Sequence, residues 1–98
     1  MVKLFNDPEL RQDLTLDLPV YLYFHSPGCG PCKSCKPLVE EMGEKDDIIV
    51  YLIYSNQAKE LQQQLNVYSY PSLMLVKNGK LIEGGVGAGE VEKMTKNG

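Results

Sequence analysis

Apolar positions along the chain fall into blocks that alternate between strand-like runs and helix-like stripes. After Pro19, the run Val20-Tyr21-Leu22-Tyr23-Phe24-His25 is β-branched and aromatic and apolar at both parities. That pattern predicts a central strand covered on both faces. Ile48 to Tyr54 reads as a second buried strand. Leu73 to Lys77 and Lys80 to Val86 flank Asn78-Gly79, the dipeptide that most strongly marks a two-residue hairpin. From about Cys29 to about Gly43, the residues Cys35, Leu38, Val39 and Met42 recur at helical spacing. Pro37 falls inside that helix and predicts a kink, because it removes a ladder hydrogen bond. Ala58, Leu61 and Leu65 give the core face of a helix capped by Ser55 or Asn56. Asn6-Asp7-Pro8-Glu9 opens a short helix facing inward through Leu10 and Leu14, with a capping side chain followed by a proline where no N–H is needed. Val2 to Phe5 reads as an edge strand, and Glu90 to Lys96 as a last helix with Val91 and Met94 inward.

The order is therefore (β)αβαβαββα. Strands joined through helices are expected to run parallel with right-handed crossovers, and the closing hairpin antiparallel. This is an α/β chain with a central mixed sheet flanked by helices on both faces. No repeat, low-complexity stretch or linker interrupts it, so residues 1–98 are expected to form a single domain. At 43% hydrophobic residues the chain builds a core without staples.

A net charge of −3 and a pI of 5.0 exclude a general nucleic-acid binder. Lys33 and Lys36 make a local positive field, not a phosphate track. No apolar run is long enough for a membrane span, and Met1 to Asp7 lacks the apolar core of a secretory signal. The expected compartment is cytoplasmic, where structural disulfides are rare. The three cysteines all lie between positions 29 and 35. A disulfide framework would spread them along the chain, so the cluster points to redox chemistry or metal binding.

Cys29-Gly30-Pro31-Cys32 carries the sharpest chemistry. Two thiols three positions apart, at the start of a helix, let one sulfur sit at the helix N-terminus while the other closes a small disulfide ring with it. Unpaired N–H groups and the helix dipole favour a thiolate there, and the thiolate is the nucleophile of sulfur exchange. Cys35 raises a metal alternative, since His25, Cys29, Cys32 and Cys35 could supply four zinc ligands. Its place on the apolar stripe with Leu38 and Met42 favours a small buried hydrophobe instead. An iron–sulfur cluster would want a fourth cysteine.

The element order, Cys29-Gly30-Pro31-Cys32-Lys33, Pro37 five residues beyond the second cysteine, Tyr70-Pro71-Ser72 ahead of a strand, Lys77-Asn78-Gly79 and the late Gly87 together resemble the thioredoxin family over nearly the whole chain. The resemblance implies a thioredoxin-like fold and a thiol–disulfide oxidoreductase that reduces protein disulfides. Cys29 would attack and Cys32 resolve. Gly30 and Pro31 would shape the active-site loop, and Pro71 would be cis. Gly28, Tyr70, Pro71 and Gly87 would line the client groove. The resemblance further implies no bound cofactor and no metal, electrons from a flavin- and NADPH-dependent thioredoxin reductase, disulfide-containing client proteins as partners, and a monomer.

Three positions depart from the family pattern. Gly28 stands where a tryptophan is usual, which predicts a more open groove and altered client choice. Tyr23 stands where the family has a buried aspartate, and the stretch near Leu52 is apolar where that aspartate would find a lysine. The aspartate is proposed to take the proton of the resolving thiol. Tyrosine, with a pKa near 10, is a poor base at neutral pH. Two readings stay open: water or His25 substitutes, or Tyr23 and His25 are packing residues. Competing functions are a glutaredoxin-like glutathione-dependent reductase, a Cys/His zinc-binding module, and an interaction domain without chemistry. Gly-Pro between the cysteines leans to the thioredoxin side.

Overall fold

The computed structural model describes residues 1–97. Five strands, β1 (Val2–Leu4), β2 (Val20–His25), β3 (Ile49–Tyr54), β4 (Ser72–Lys77) and β5 (Lys80–Val86), form one sheet in the order β1-β3-β2-β4-β5. The helices are α1 (Asp7–Asp13), α2 (Gly30–Met42), α3 (Lys59–Gln64) and α4 (Ala88–Asn97). The sheet is mixed: β1 and β2 run parallel to β3, while β4 is antiparallel to both β2 and β5.

Strand β2 is buried at all six positions, and its two faces feed two cores. Tyr21 and Tyr23 join Val50, Leu52 and Leu73 beneath Cys35, Val39 and Met42 of α2 and Val91 and Met94 of α4. Val20, Leu22 and Phe24 join Ile49, Tyr51 and Ile53 on the other face, against Leu10 of α1 and the half-buried Leu61 of α3. Leu38 sits at the edge of the α2 stripe, half-buried. Asn6 caps α1 through its side chain, which accepts from the Glu9 N–H at 3.1 Å.

Two expectations are corrected. Strand β4 follows a helix yet runs antiparallel to β2. Helix α3 has six residues, a rise of about 9 Å, whereas β3 spans about 20 Å. So short a helix does not carry the chain back along the strand, and β4 re-enters from the end at which β3 left. The cap of α3 is neither Ser55 nor Asn56. The helix starts after Ala58, which is left-handed at φ 49° and gives no side-chain cap. Residues 55–58 instead form a turn held by two glutamines: Gln57 Oε1 accepts from the Tyr54 N–H at 2.9 Å, and Gln62 Nε2 donates to the carbonyls of Ser55 (3.0 Å) and Gln57 (2.7 Å).

A second buried polar group holds β1 and α1 to the sheet. The Asp13 carboxylate accepts from the Tyr51 hydroxyl at 2.6 Å and from Lys3 Nζ at 2.7 Å. A charged acceptor with two donors offsets much of the cost of its burial.

Candidate active site

The sheet register gathers the candidate residues at one end of the molecule. Phe24 pairs with Ser72, and Ser72 with Val86. The loop leaving β2, the Tyr70-Pro71 segment entering β4 and Gly87 leaving β5 therefore share that end with the start of α2.

Cys29 is the N-cap of α2, extended at φ −81°, ψ 108°, with Gly30 and Pro31 opening the first turn. Pro31 stands where a helix lacks partners for its N–H groups, so its missing donor costs nothing. The Cys32 N–H donates to Cys29 Sγ at 3.2 Å, so a backbone dipole is aimed at that sulfur. Cys29 and Cys32 form a disulfide with Cα atoms 5.2 Å apart. Cys32 is buried while Cys29 is partly open. Lys33 lies exposed in the first turn, which carries no acidic residue. Gly28 has φ +77°, and a side chain added there would meet nothing within 4 Å. The left-handed backbone is itself a reason for glycine at this position.

The Tyr70–Pro71 peptide is cis. The Gly87 N–H, from φ +92°, donates to the Pro71 carbonyl at 2.8 Å, so these two residues are brought together as a unit. The Tyr70 side chain is half-buried, and its hydroxyl donates to Gln62 Oε1. The Tyr70 phenol is therefore committed to a partner within the chain. Gln62 thus fills both of its polar ends, tying the 55–58 turn to the residue before Pro71. Periodicity does not reveal this role, because a glutamine in a short helix reads as solvent-facing.

Cys35 is not part of the constellation. It is buried in the core beneath α4, its Sγ 3.7 Å from the Ala88 carbonyl oxygen, and burial followed by the charge of Glu92 pushes its thiol up. Among the described residues no cluster of three His, Cys, Asp or Glu is arranged to hold a metal ion.

Behind Cys32, the Tyr23 hydroxyl donates to the Cys32 carbonyl at 2.7 Å. Burial pushes the Tyr23 phenol well above its ordinary range, with a smaller push from Cys35. Tyr23 is therefore a fixed donor and not a base. The His25 ring stacks on Tyr23 with centroids 5.4 Å apart, and on its other side meets Tyr54 at 4.3 Å. Burial lowers the His25 pKa; Lys36 adds to that and Glu40 opposes it. A surface groove of about 500 Å3 runs between α1 and α3 on the opposite face of the sheet from α2, and no cysteine lines it.

An exchangeable disulfide at a helix N-terminus, beside a cis-proline loop, on a mixed sheet covered by helices on both faces defines a thiol–disulfide oxidoreductase. The family model for thioredoxin matches residues 1–97. The chain belongs to the thioredoxin family. It is 38% identical over 76 residues to a thioredoxin of Haemophilus influenzae, spanning 74% of this chain and 69% of that one. It is 34% identical over 77 residues to the chloroplastic thioredoxin M-type of Spinacia oleracea, spanning 76% of this chain but 42% of that longer one. Among solved structures, the short form of thioredoxin F from spinach chloroplast superposes with a TM-score of 0.84 at 26% identity, covering 98% of this chain and 88% of that one.

Proposed function

We propose that the chain, acting as one domain over residues 1–98, reduces disulfide bonds in client proteins, with Cys29 attacking and Cys32 resolving. The observation that carries this reading is the Cys32 N–H aimed at Cys29 Sγ at 3.2 Å, at the cap of a helix whose first turn has no acidic residue. The same N–H that stabilises a Cys29 thiolate belongs to the residue whose sulfur completes the exchange.

In this reading the Cys29 thiolate attacks a client disulfide, forming a mixed disulfide and releasing one client thiolate. Cys32 then attacks Cys29 Sγ, the second client sulfur leaves with the bonding electron pair, and the Cys29–Cys32 disulfide remains. Two electrons have passed to the client. Gly30 and Pro31 hold the short ring. Gly28, the Tyr70 backbone, Pro71 and Gly87 border the groove in which an extended client segment lies. Electrons return from a flavin- and NADPH-dependent thioredoxin reductase, and the chain itself binds no cofactor and works as a monomer. A reducing, cytoplasm-like compartment suits this direction of flow. A chloroplastic protein among the relatives shows that the family is not confined to one compartment. Among the described residues, no helix is long and apolar enough to cross a membrane.

The test is NADPH-driven reduction of a disulfide protein by the chain with a purified thioredoxin reductase, run beside an arm with glutathione as sole reductant. Turnover in the first arm, abolished in Cys29→Ser, is expected. Turnover only with glutathione would move the protein to the glutaredoxin-like class, and turnover in neither arm would remove the reading.

A further inference from the structure

Resolution of a mixed disulfide requires the Cys32 thiol to lose a proton, because the thiolate is the attacking species. Cys32 is buried, with 2% of its surface exposed. Its immediate neighbour, the Tyr23 hydroxyl, is engaged as a donor to the Cys32 carbonyl. Asp and Glu, the usual carboxylate bases, do not line the recess beside it. That recess, about 130 Å3, is lined by Cys32 together with His25, Lys33, Lys36 and Tyr54.

His25 is the one imidazole of the chain. It is 6% exposed, and its Nε2 is buried without a hydrogen-bond partner. A buried polar nitrogen left unpaired costs about 1–3 kcal/mol, so in native proteins such groups tend to serve a purpose beyond packing. The ring is held rather than loose: it stacks on Tyr23, whose own hydroxyl reaches the Cys32 backbone, and packs against Tyr54 on the other side.

We infer that His25 is the proton acceptor for the Cys32 thiol in the resolving step, a role that rests on the proposed assignment of Cys29 and Cys32. With its proton on Nδ1, the imidazole keeps a lone pair on Nε2. The Cys32 S–H proton passes to Nε2 as the mixed disulfide is resolved. The Cys32 thiolate attacks Cys29 Sγ, the Cys29–client S–S bond breaks, and the client thiolate leaves with the electron pair. His25 then returns the proton to that thiolate or to solvent, and both charge and atoms balance.

The surrounding charges suit an acceptor that must not hold its proton. Burial and the ammonium of Lys36 both disfavour the imidazolium, with Glu40 as the opposing charge, so His25 is neutral and ready at pH 7. Lys33 and Lys36 border the same recess and favour the transient thiolate. Tyr23 and Tyr54 are the titratable neighbours that face the ring from β2 and β3.

The two steps separate in a stopped-flow reaction of the reduced chain with an aromatic disulfide reagent. A second-order phase reports attack by Cys29, and a first-order phase reports release of the second thiolate by Cys32. His25→Phe keeps the stack between Tyr23 and Tyr54 and removes the nitrogen. It is expected to slow the first-order phase at neutral pH by roughly tenfold or more and to leave the second-order phase unchanged. The deficit is expected to close at alkaline pH, where the Cys32 thiol ionises unaided. An unchanged first-order phase, or a loss equal at every pH, would overturn the assignment. Absence of both phases in the wild type would instead refute the function itself. Should His25→Phe fail to fold, NMR titration of the wild-type imidazole decides: its midpoint is expected to differ between the oxidised and reduced chains, and the same midpoint in both would overturn the inference.

Discussion

The Tyr23 hydroxyl donates a hydrogen bond of 2.7 Å to the backbone carbonyl of Cys32, nine residues along the chain. This contact ties the central strand to the first turn of α2 at the resolving cysteine. It also explains how a phenol occupies a position where the family keeps a carboxylate: tyrosine serves there as a donor that fixes the helix.

If that is its role, Tyr23→Phe costs stability and little else. Loss of one buried hydrogen bond is expected to cost about 1 kcal/mol, read by urea unfolding of the oxidised chain. The rate of disulfide exchange and its pH profile are expected to stay within twofold of wild type. A large rate loss confined to neutral pH would mean that Tyr23 takes part in proton transfer.

The Asp13 carboxyl makes acid sensitivity local. Burial pushes its pKa up, but hydrogen bonds from Lys3 and Tyr51 outweigh this and the net shift is downward. A carboxyl depressed by folding gives its full stabilisation above its unfolded value of about 3.9 and loses it as pH falls through the folded value. Asp13→Asn is therefore expected to lose roughly 2 kcal/mol at neutral pH. The gap to wild type is expected to narrow as pH falls below about 4. Urea unfolding of both chains across that range checks the sign; a gap that widens in acid would contradict it.

Gln62 is expected to matter more than a helix-surface glutamine should. Gln62→Leu strips the carbonyls of Ser55 and Gln57 of their side-chain donor and the Tyr70 hydroxyl of its acceptor. The expected loss is about 2 kcal/mol, together with slower client reduction as the segment before Pro71 slackens. Tyr70→Phe is expected to cost less. Because the two side chains share one bond, their effects are expected to be less than additive in the double variant.

Much of the fold was legible because burial leaves a mark on residue type. The run from Val20 to His25 is apolar at both parities since both faces of β2 are covered, and the stripe of Cys35, Val39 and Met42 follows the buried side of α2. The Cys29-Gly30-Pro31-Cys32 motif was legible because two thiols at that spacing serve redox chemistry or metal binding, and the apolar place of Cys35 weighed against the metal. What stayed hidden rests on distant partners. The direction of β4 depends on α3 being too short to return the chain. Ser55 and Asn56 have the composition of helix caps, but the side chains of Gln57 and Gln62 claim the backbone groups of that turn. Nothing in the sequence marks Asp13 and Gln62 as buried, because their burial depends on the hydroxyls of Tyr51 and Tyr70, which only the folded chain brings to them. Gly43 reads as a helix end, and it is one; yet a Cβ there would also come within 2.6 Å of Val2 Cγ2, so its smallness lets β1 pack beside α2.

Disulfide exchange through Cys29 requires its ionisation by the amides that open α2, and the pH dependence of its alkylation in the reduced chain measures that ionisation. At mildly acidic pH Cys29 is expected to react roughly tenfold faster than a cysteine in a short peptide, with a midpoint below the ordinary thiol value of about 8.5. A Cys29 rate that matches the peptide at every pH would contradict it.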